Sequence, residues 1–266
     1  MYAAHERIVG GDRESMLDLL HEAWRDDTAA GKRSLMIAND TETVRELNQR
    51  AREDRIRSGA GAAEGLTLSD GTTVGVGDVV VTRRNARALA SGSGWVKNGD
   101  LWQVIAVRRD GSLEVKRPTR GGTATLPASY VRQHVQLGYA TTAHRAQGRT
   151  VDTAHAFVAA TTTREPLYVM ATRGRESNRL YIDTAYDPDV DTAHEPVPEI
   201  DATQVLRQVL ATSGDDSSAT ETMTKEWDRV QNVARNGTER RVMAGQDLEH
   251  NDTRMLESSG LTLHGV

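Results

Sequence analysis

The stretch Ser34-Leu35-Met36-Ile37-Ala38-Asn39-Asp40-Thr41 decides the fold class. Its first five residues form a short apolar run of the kind buried on both faces of a parallel sheet. Asn39, Asp40 and Thr41 then offer side-chain oxygens for a helix N-cap. Over residues 42–58, Val44, Leu47, Ala51 and Ile56 fall on one side with arginines around the remainder. Strand, cap and amphipathic helix make half of a βαβ unit, so an α/β fold is expected.

Upstream, residues 1–33 open with a polar stretch and continue as a helix. Met16, Leu17, Leu20, Ala23 and Trp24 recur at helical spacing, and Gly31 supplies its stop. Downstream, the Gly/Ala-rich residues 58–63 mark a change of character. From residue 66 to about 134 the pattern is short β-runs split by glycine turns, at 78–82, 101–107, 112–115 and 123–126. Asp110-Gly111 is a tight hairpin signal between two of them. This reads as a small antiparallel barrel inserted into the α/β domain, decorated by Arg83, Arg84, Arg87, Lys97, Arg108, Arg109, Lys116, Arg117 and Arg120.

The α/β rhythm then returns, with a strand over 134–140, a helix starting near Thr141 or Thr142, and a strand over 154–158. A helix over 164–174 and a last strand over 179–182 complete it. Pro188, Pro196 and Pro198 end the compact region. Residues 202–210 and about 220–235 read as short amphipathic helices separated by a charged break at 214–218. The last thirty residues have little to bury and are expected to be disordered.

Composition narrows the function classes. The 266 residues include no cysteine, which excludes disulfides and Cys-based metal sites and fits a reducing, cytoplasmic setting. No window approaches the about 18 apolar residues of a membrane span, and the N-terminus lacks the apolar core of a signal peptide. The eight histidines show no ligand spacing with carboxylates, so no metal site is expected. The net charge of −5 is uneven, since residues 185–266 hold 16 acidic against 7 basic residues and leave +4 for the first 184. A basic body with an acidic tail suits a polyanion-binding domain with a solvated appendage.

Two stretches carry the chemistry: Tyr139-Ala140-Thr141-Thr142-Ala143-His144-Arg145-Ala146-Gln147-Gly148 and Leu167-Tyr168-Val169-Met170-Ala171-Thr172-Arg173-Gly174-Arg175. Thr141 and Thr142 stand where a strand ends and a helix begins, so their hydroxyls can meet phosphate beside free backbone N–H groups. Gly148 permits close backbone approach to an anion. Arg173 ends an apolar helix, and its rigid guanidinium fork matches phosphate geometry.

The pair Thr-x-His-x-x-Gln-Gly and Tyr-Val-x-x-Thr-Arg-x-Arg resembles motifs V and VI of superfamily 1B, RecD-like helicases. It is most similar to the helicase region of conjugative relaxases of the TraA/TrwC kind. The likeness extends to residues 34–52 and to the Gly-Asp-Val-Val-Val-Thr-Arg-Arg-Asn and Lys-Asn-Gly-Asp runs, covering about residues 34–184. It implies a second RecA-like domain (34–65 and 135–184) of P-loop NTPase type, with an SH3-like barrel at 66–134. A helical segment over 1–33 and a partly helical or disordered tail over 185–266 flank it. The resemblance implies that Arg173 is the arginine finger reaching the γ-phosphate. Gln147, Gly148, Thr150 and Arg175 are implied at the nucleotide, Thr150 standing where many relatives carry an acidic residue near the ribose. Thr141, Thr142, His144, Arg83 and Lys97 are implied on the single-stranded DNA track, with Arg145 and Arg149 as further phosphate contacts.

The sequence holds no Gly-x-x-x-x-Gly-Lys-Ser/Thr loop and no apolar strand ending in Asp-Glu. Gly31-Lys32-Arg33-Ser34 lacks the upstream glycine and a preceding strand. The expectation is therefore the C-terminal motor half of an ATP-dependent helicase, inactive alone. ATP and Mg²⁺ would bind only in the complete enzyme, and a first RecA-like domain on the same or an adjacent polypeptide would be its partner. Two other readings stay open: a stand-alone single-stranded nucleic-acid-binding module, and an inactive gene remnant.

Overall fold

The structure, a computed structural model, describes residues 7–92, 94–118, 122–185 and 201–214. The chain divides into two units after Ser213, and the first holds every strand and α-helix of the described residues. The expected helix at 220–235, most of the break at 214–218 and the final thirty residues lie outside the described residues.

In chain order the elements are β1 (Ile8–Gly11), α1 (Arg13–Ala29), β2 (Ser34–Ala38), α2 (Thr41–Arg57), β3 (Leu66–Thr67), β4 (Thr73–Val74), β5 (Val79–Thr82), β6 (Ala86–Ser91) and β7 (Gly94–Val96). They continue with β8 (Leu101–Val107), β9 (Leu113–Lys116), β10 (Thr123–Leu126), α3 (Ala128–His134), β11 (Val135–Leu137), β12 (Ala140–Thr142), α4 (Ala143–Ala146), β13 (Val151–Val158), α5 (Arg164–Met170), β14 (Gly174–Asp183) and α6 (Ala202–Ala211).

Five strands form a parallel sheet in the order β1-β14-β13-β2-β12. Because side chains alternate across a strand, each strand feeds two cores. Leu35 and Ile37, Ala154, Ala156 and Val158, and Leu180 and Ile182 face one side with α4, α5 and α6. Met36 and Ala38, Phe157 and Tyr181 face the other, against α1 and α2. Helices thus cover both faces, which is what a fully apolar β2 requires. Asp40 is the N-cap of α2, accepting from Thr43 N at 2.7 Å. Asp12 caps α1 in the same way through Ser15 N at 3.0 Å.

A second sheet, antiparallel, runs β10-β9-β8-β5-β11 and shares the core on the α1/α2 side through Val80, Trp102, Val104, Leu113, Val115 and Leu126. The Asp110-Gly111 turn joins β8 to β9, with Gly111 at φ +82 and Asp110 Oδ1 accepting from Ser112 N at 2.9 Å. Among the described residues no ladder joins the edge strands β10 and β11, so the sheet is open along that line.

Three readings of the sequence need correction. Residues 1–33 are not solely helical, because β1 pairs in parallel with β14 and extends the sheet. The apolar run at 134–140 is not one strand. Residues 135–137 pair antiparallel with β5, whereas Ala140–Thr142 pair in parallel with β2, so the boundary between the two sheets falls at Gly138-Tyr139. Gly138 permits the switch, since a Cβ there would lie 2.9 Å from Leu101 Cδ2 and 3.1 Å from the Val80 carbonyl carbon. The helix expected to reach residue 174 ends at Met170, and β14 begins at Gly174.

One polar cluster ties the sheets together. Asp78 is fully buried and accepts from Tyr139 Oη at 2.8 Å, Arg52 Nε at 3.0 Å and Gly75 N at 2.7 Å. The Tyr139 hydroxyl in turn accepts from Val79 N at 3.0 Å. Burial, with the neighbouring Asp78 charge, raises the Tyr139 pKa far above the phenol range. Asn48 of α2 completes the junction: its Oδ1 accepts from Tyr139 N and Ala140 N, each at 2.9 Å.

Candidate nucleotide and nucleic-acid interface

The parallel register puts the expected site residues at two levels of the sheet. Thr142 lies beside Ala38, and Ile37 lies beside Ala156, so Thr142 is at the C-terminal level of β13. Thr150 and Arg173 immediately precede β13 and β14, which pair Val151 with Gly174 at the opposite end. At ~3.3 Å per residue the two levels are about 20 Å apart.

At the first level, Thr141 and Thr142 are buried and His144 and Arg145 are exposed. Thr142 is the N-cap of α4 yet makes no side-chain cap bond, and the buried Thr141 Oγ1 has no partner among the described residues. Neither hydroxyl is therefore spent on capping.

At the second level the chain folds Arg173 against the Gln147–Thr150 loop. Val151 N donates to Arg173 O at 3.1 Å, and Arg173 Nη1 donates to Arg149 O at 3.4 Å. Arg173 Nε binds Val169 O at 3.0 Å and Nη2 binds Thr172 Oγ1 at 2.7 Å. These bonds clamp the guanidinium on the end of α5. A guanidinium carries five N–H groups, and with one acceptor each at Nε, Nη1 and Nη2, each terminal nitrogen keeps one N–H. Gly148 sits at φ +79 with open space where a Cβ would lie, and Gln147, Gly148 and Thr150 are exposed.

Arg175, expected at the nucleotide, is exposed and ion-paired. It binds Asp152 Oδ1, and the same carboxylate accepts from Arg33 N at 2.9 Å and Arg33 Nη2 at 3.4 Å. The backbone bond from Arg33 and the Arg175 contact hold Asp152 down to about 2. Arg175 thus fastens the start of β14 to the start of β13, a role invisible without the fold.

Lys97 and Arg83 lie in the antiparallel part. Lys97 is exposed, its Nζ 5.6 Å from the Trp95 ring centroid, and Arg87 approaches the same ring at 5.6 Å. Arg83 is half-buried with Nε donating to Gln136 Oε1 at 2.7 Å, an acceptor shared with Arg145 Nη1 at 3.4 Å. Sequence reading missed Gln136, which had no motif signal. It also missed the contact of buried His155 Nε2 with half-buried Asp27 Oδ2 at 2.9 Å, the same imidazole meeting Tyr181 Oη at 3.2 Å. The donor set suits phosphate better than metal, since no group of three or more His, Asp or Glu side chains is placed to hold an ion among the described residues. Nor is any described helix long and apolar enough to cross a membrane.

The molecule is thus a mixed α/β protein whose five-stranded parallel sheet carries both motifs at its strand ends. No family model matches the chain. Over 184 residues, 68% of its length, it is 29% identical to the conjugal transfer protein TraA of Agrobacterium fabrum, of which the match spans 16%. The TraA of Rhizobium radiobacter is 28% identical over 186 residues, 69% of this chain and 16% of that protein. An uncharacterised protein of Mycobacterium tuberculosis strain CDC 1551 is 39% identical over 88 residues, 33% of this chain and 51% of that protein. Among solved structures, a Bacteroides Pif1 helicase in complex with ADP-AlF3 and ssDNA gives a TM-score of 0.42 at 18% identity, over 64% of this chain and 45% of that one. The resemblance to TraA-type conjugation proteins read from the two motifs therefore holds over about two thirds of the chain, while the chain spans a small part of the TraA proteins themselves.

Proposed function

We propose that this chain forms the second RecA-like domain, with its SH3-like insertion, of an ATP-driven DNA helicase of the TraA kind. Arg173 is the arginine finger in this reading. Gln147, Gly148, Thr150 and Arg175 border the nucleotide, and Thr141, Thr142, His144, Arg83 and Lys97 belong to the single-stranded DNA track. The observation that carries it is the clamp of Arg173 onto the Gln147–Thr150 loop with two N–H groups left over. A finger must be held rigidly and still have donors to give, because its effect is stabilisation of charge developing on the transferred phosphoryl group. ATP and Mg²⁺ would be gripped by a phosphate-binding loop and carboxylates that these residues do not include, so a further P-loop domain, on the same or another polypeptide, is the required partner.

The test is ATP hydrolysis measured with and without single-stranded DNA. The 266 residues alone should show no turnover. Joined to a P-loop domain, they should support DNA-stimulated turnover that Arg173→Ala lowers about 10³-fold or more while DNA binding persists. Robust turnover by the 266 residues alone that Arg173→Ala abolishes would refute the division of labour. A second reading, a stand-alone single-strand-binding module, is favoured by Trp95 lying under Arg87 and Lys97, since stacking rings beside cations are what such modules use. It predicts oligonucleotide binding that Trp95→Ala weakens and that needs no second domain.

A further inference from the structure

Helix α1 and the outer strands of the parallel sheet border a cleft of about 460 Å³. It lies on the sheet face covered by α1 and α2, whereas α5, whose end carries Arg173, packs on the other face. The two banks of the cleft differ in charge. The α1 bank presents Glu22, Asp26 and Asp27 together with the apolar Leu19 and Ala23. The sheet bank presents Arg179 and the hydroxyls of Thr153, Ser177 and Tyr181.

The buried part of the cleft is already satisfied. His155 meets Asp27 Oδ2 through Nε2 at 2.9 Å and Tyr181 Oη through Nδ1 at 3.2 Å, and Lys32 Nζ lies 3.2 Å from Asp27 Oδ1. The groups at the mouth are not. Glu22 is exposed, and among the described residues its carboxylate has neither an ion pair nor a hydrogen bond; the Ser177 hydroxyl has no hydrogen bond either. Arg179 is exposed and its guanidinium reaches only the Tyr181 hydroxyl among the described residues. Glu22 and Arg179 thus line one cleft with opposite charges that do not meet. Leu19 beside them is 43% exposed, an apolar side chain left in water. The larger groove between α1 and α2, about 650 Å³, is unlike this one. There Glu14, Asp18 and Glu46 all bind Arg50, and Asp54 binds Arg57, so its charges cancel from within.

Carboxylates on one bank favour a cation, and a guanidinium with a hydroxyl two residues away on the same strand face favours a carboxylate. Exposed apolar side chains in the same cleft favour aliphatic carbon. Small-molecule sites commonly take this form, a cleft of about 300–1,000 Å³ with a few convergent polar groups. We propose that the cleft binds a small aliphatic zwitterion, an α-amino acid or short peptide, with its carboxylate on Arg179 and Ser177, its ammonium on Glu22 and Asp26, and its hydrocarbon on Leu19 and Ala23. The site is separate from the nucleotide and strand contacts proposed above and stands whether or not that reading holds.

Binding of leucine and of leucylleucine to the 266-residue chain is measured by titration calorimetry. The N-acetyl derivative of each, which lacks the cation, and the amide of each, which lacks the anion, are titrated alongside. A free zwitterion should bind saturably at concentrations up to about 10 mM. Each blocked form should bind about tenfold more weakly or worse, the factor expected for one lost contact to a charged group. Two substitutions at the mouth should cross with those blocks. Glu22→Gln should erase the preference for a free ammonium and keep that for a free carboxylate, and Arg179→Gln should do the reverse. Both side chains are exposed, so melts without ligand should be nearly unchanged. The proposal is overturned if neither zwitterion binds, if the blocked forms bind equally well, or if each variant weakens all the compounds by the same factor.

Discussion

Replacing Tyr139 by Phe tests the junction of the two sheets with a single atom. The hydroxyl donates to Asp78 Oδ1 at 2.8 Å and accepts from Val79 N at 3.0 Å. The ring keeps its packing, edge-on to Trp24 at 5.9 Å and beneath Arg55 at 6.0 Å. The substitution therefore opens no cavity beyond one oxygen and isolates the polar cost. A hydrogen bond to a charged group contributes about 1.5–3 kcal/mol, and a buried N–H left without its acceptor costs about 1–3 kcal/mol. The two together come to about 2.5–6 kcal/mol; Arg52 and Gly75 still hold Asp78 through Oδ2, which places the loss at the low end, about 3 kcal/mol. For a unit of this size each kcal/mol moves Tm by about 2–4 °C, so a drop near 3 kcal/mol shows as about 6–12 °C. Urea unfolding followed by tryptophan fluorescence and far-ultraviolet dichroism should give a lower midpoint with an unchanged slope. A change below about 0.5 kcal/mol, the range of ordinary surface substitutions, would refute the claim that this hydroxyl couples the sheets.

Two further outcomes are expected. Burial lowers the folded-state pKa of His155, outweighing the opposing pull of Asp27. The unfolded chain then binds the proton more readily, so stability is full above the ordinary imidazole value of about 6.5 and falls as pH drops through it. Thermal melts between pH 7 and 5.5 should show that loss, and His155→Gln should reduce it, the remainder belonging to His21, whose pKa burial also lowers; a parent protein that gains stability on acidification would contradict the assignment. Gly148→Ala should cost about 1 kcal/mol, the usual penalty of a side chain in the left-handed region, since φ is +79 and no atom lies within 4 Å of the new Cβ. A chemical melt unchanged by this substitution would show that the loop relaxes to another conformation.

The fold was legible where its causes are local. The Ser34–Ala38 run and the Asp40 cap carry their meaning within a few residues, and both appear as read. β1 was not legible, because Ile8 and Val9 followed by two glycines are too short a signal and the strand's partner lies at Leu180 and Tyr181. The break at Gly138-Tyr139 escaped notice for a similar reason: seven residues of one character give no hint that Leu137 pairs with Val80 and Ala140 with Met36. α3 was missed because it buries a single side chain, Val131, so no periodicity announces it. In the candidate site, the order and spacing of the two motifs carried the resemblance, but the contact of Arg173 with the Arg149 carbonyl was not legible, because it joins residues 24 apart through the fold. The engagement of Arg175 with Asp152 and of Arg83 with Gln136 depends on tertiary pairing alone.

The Asn48 amide has a consequence for how other chains can meet this one. β12 is the last strand of the parallel sheet, and such a margin ordinarily invites a foreign strand to add itself. Here the carboxamide of Asn48 imitates that stranger, taking Tyr139 N and Ala140 N on its oxygen and approaching Ala140 O with its nitrogen at 3.5 Å. A newcomer would have to evict a helix side chain before making its first backbone bond beside β12. That stretch of the sheet margin is thereby closed to strand addition by one side chain of a neighbouring helix.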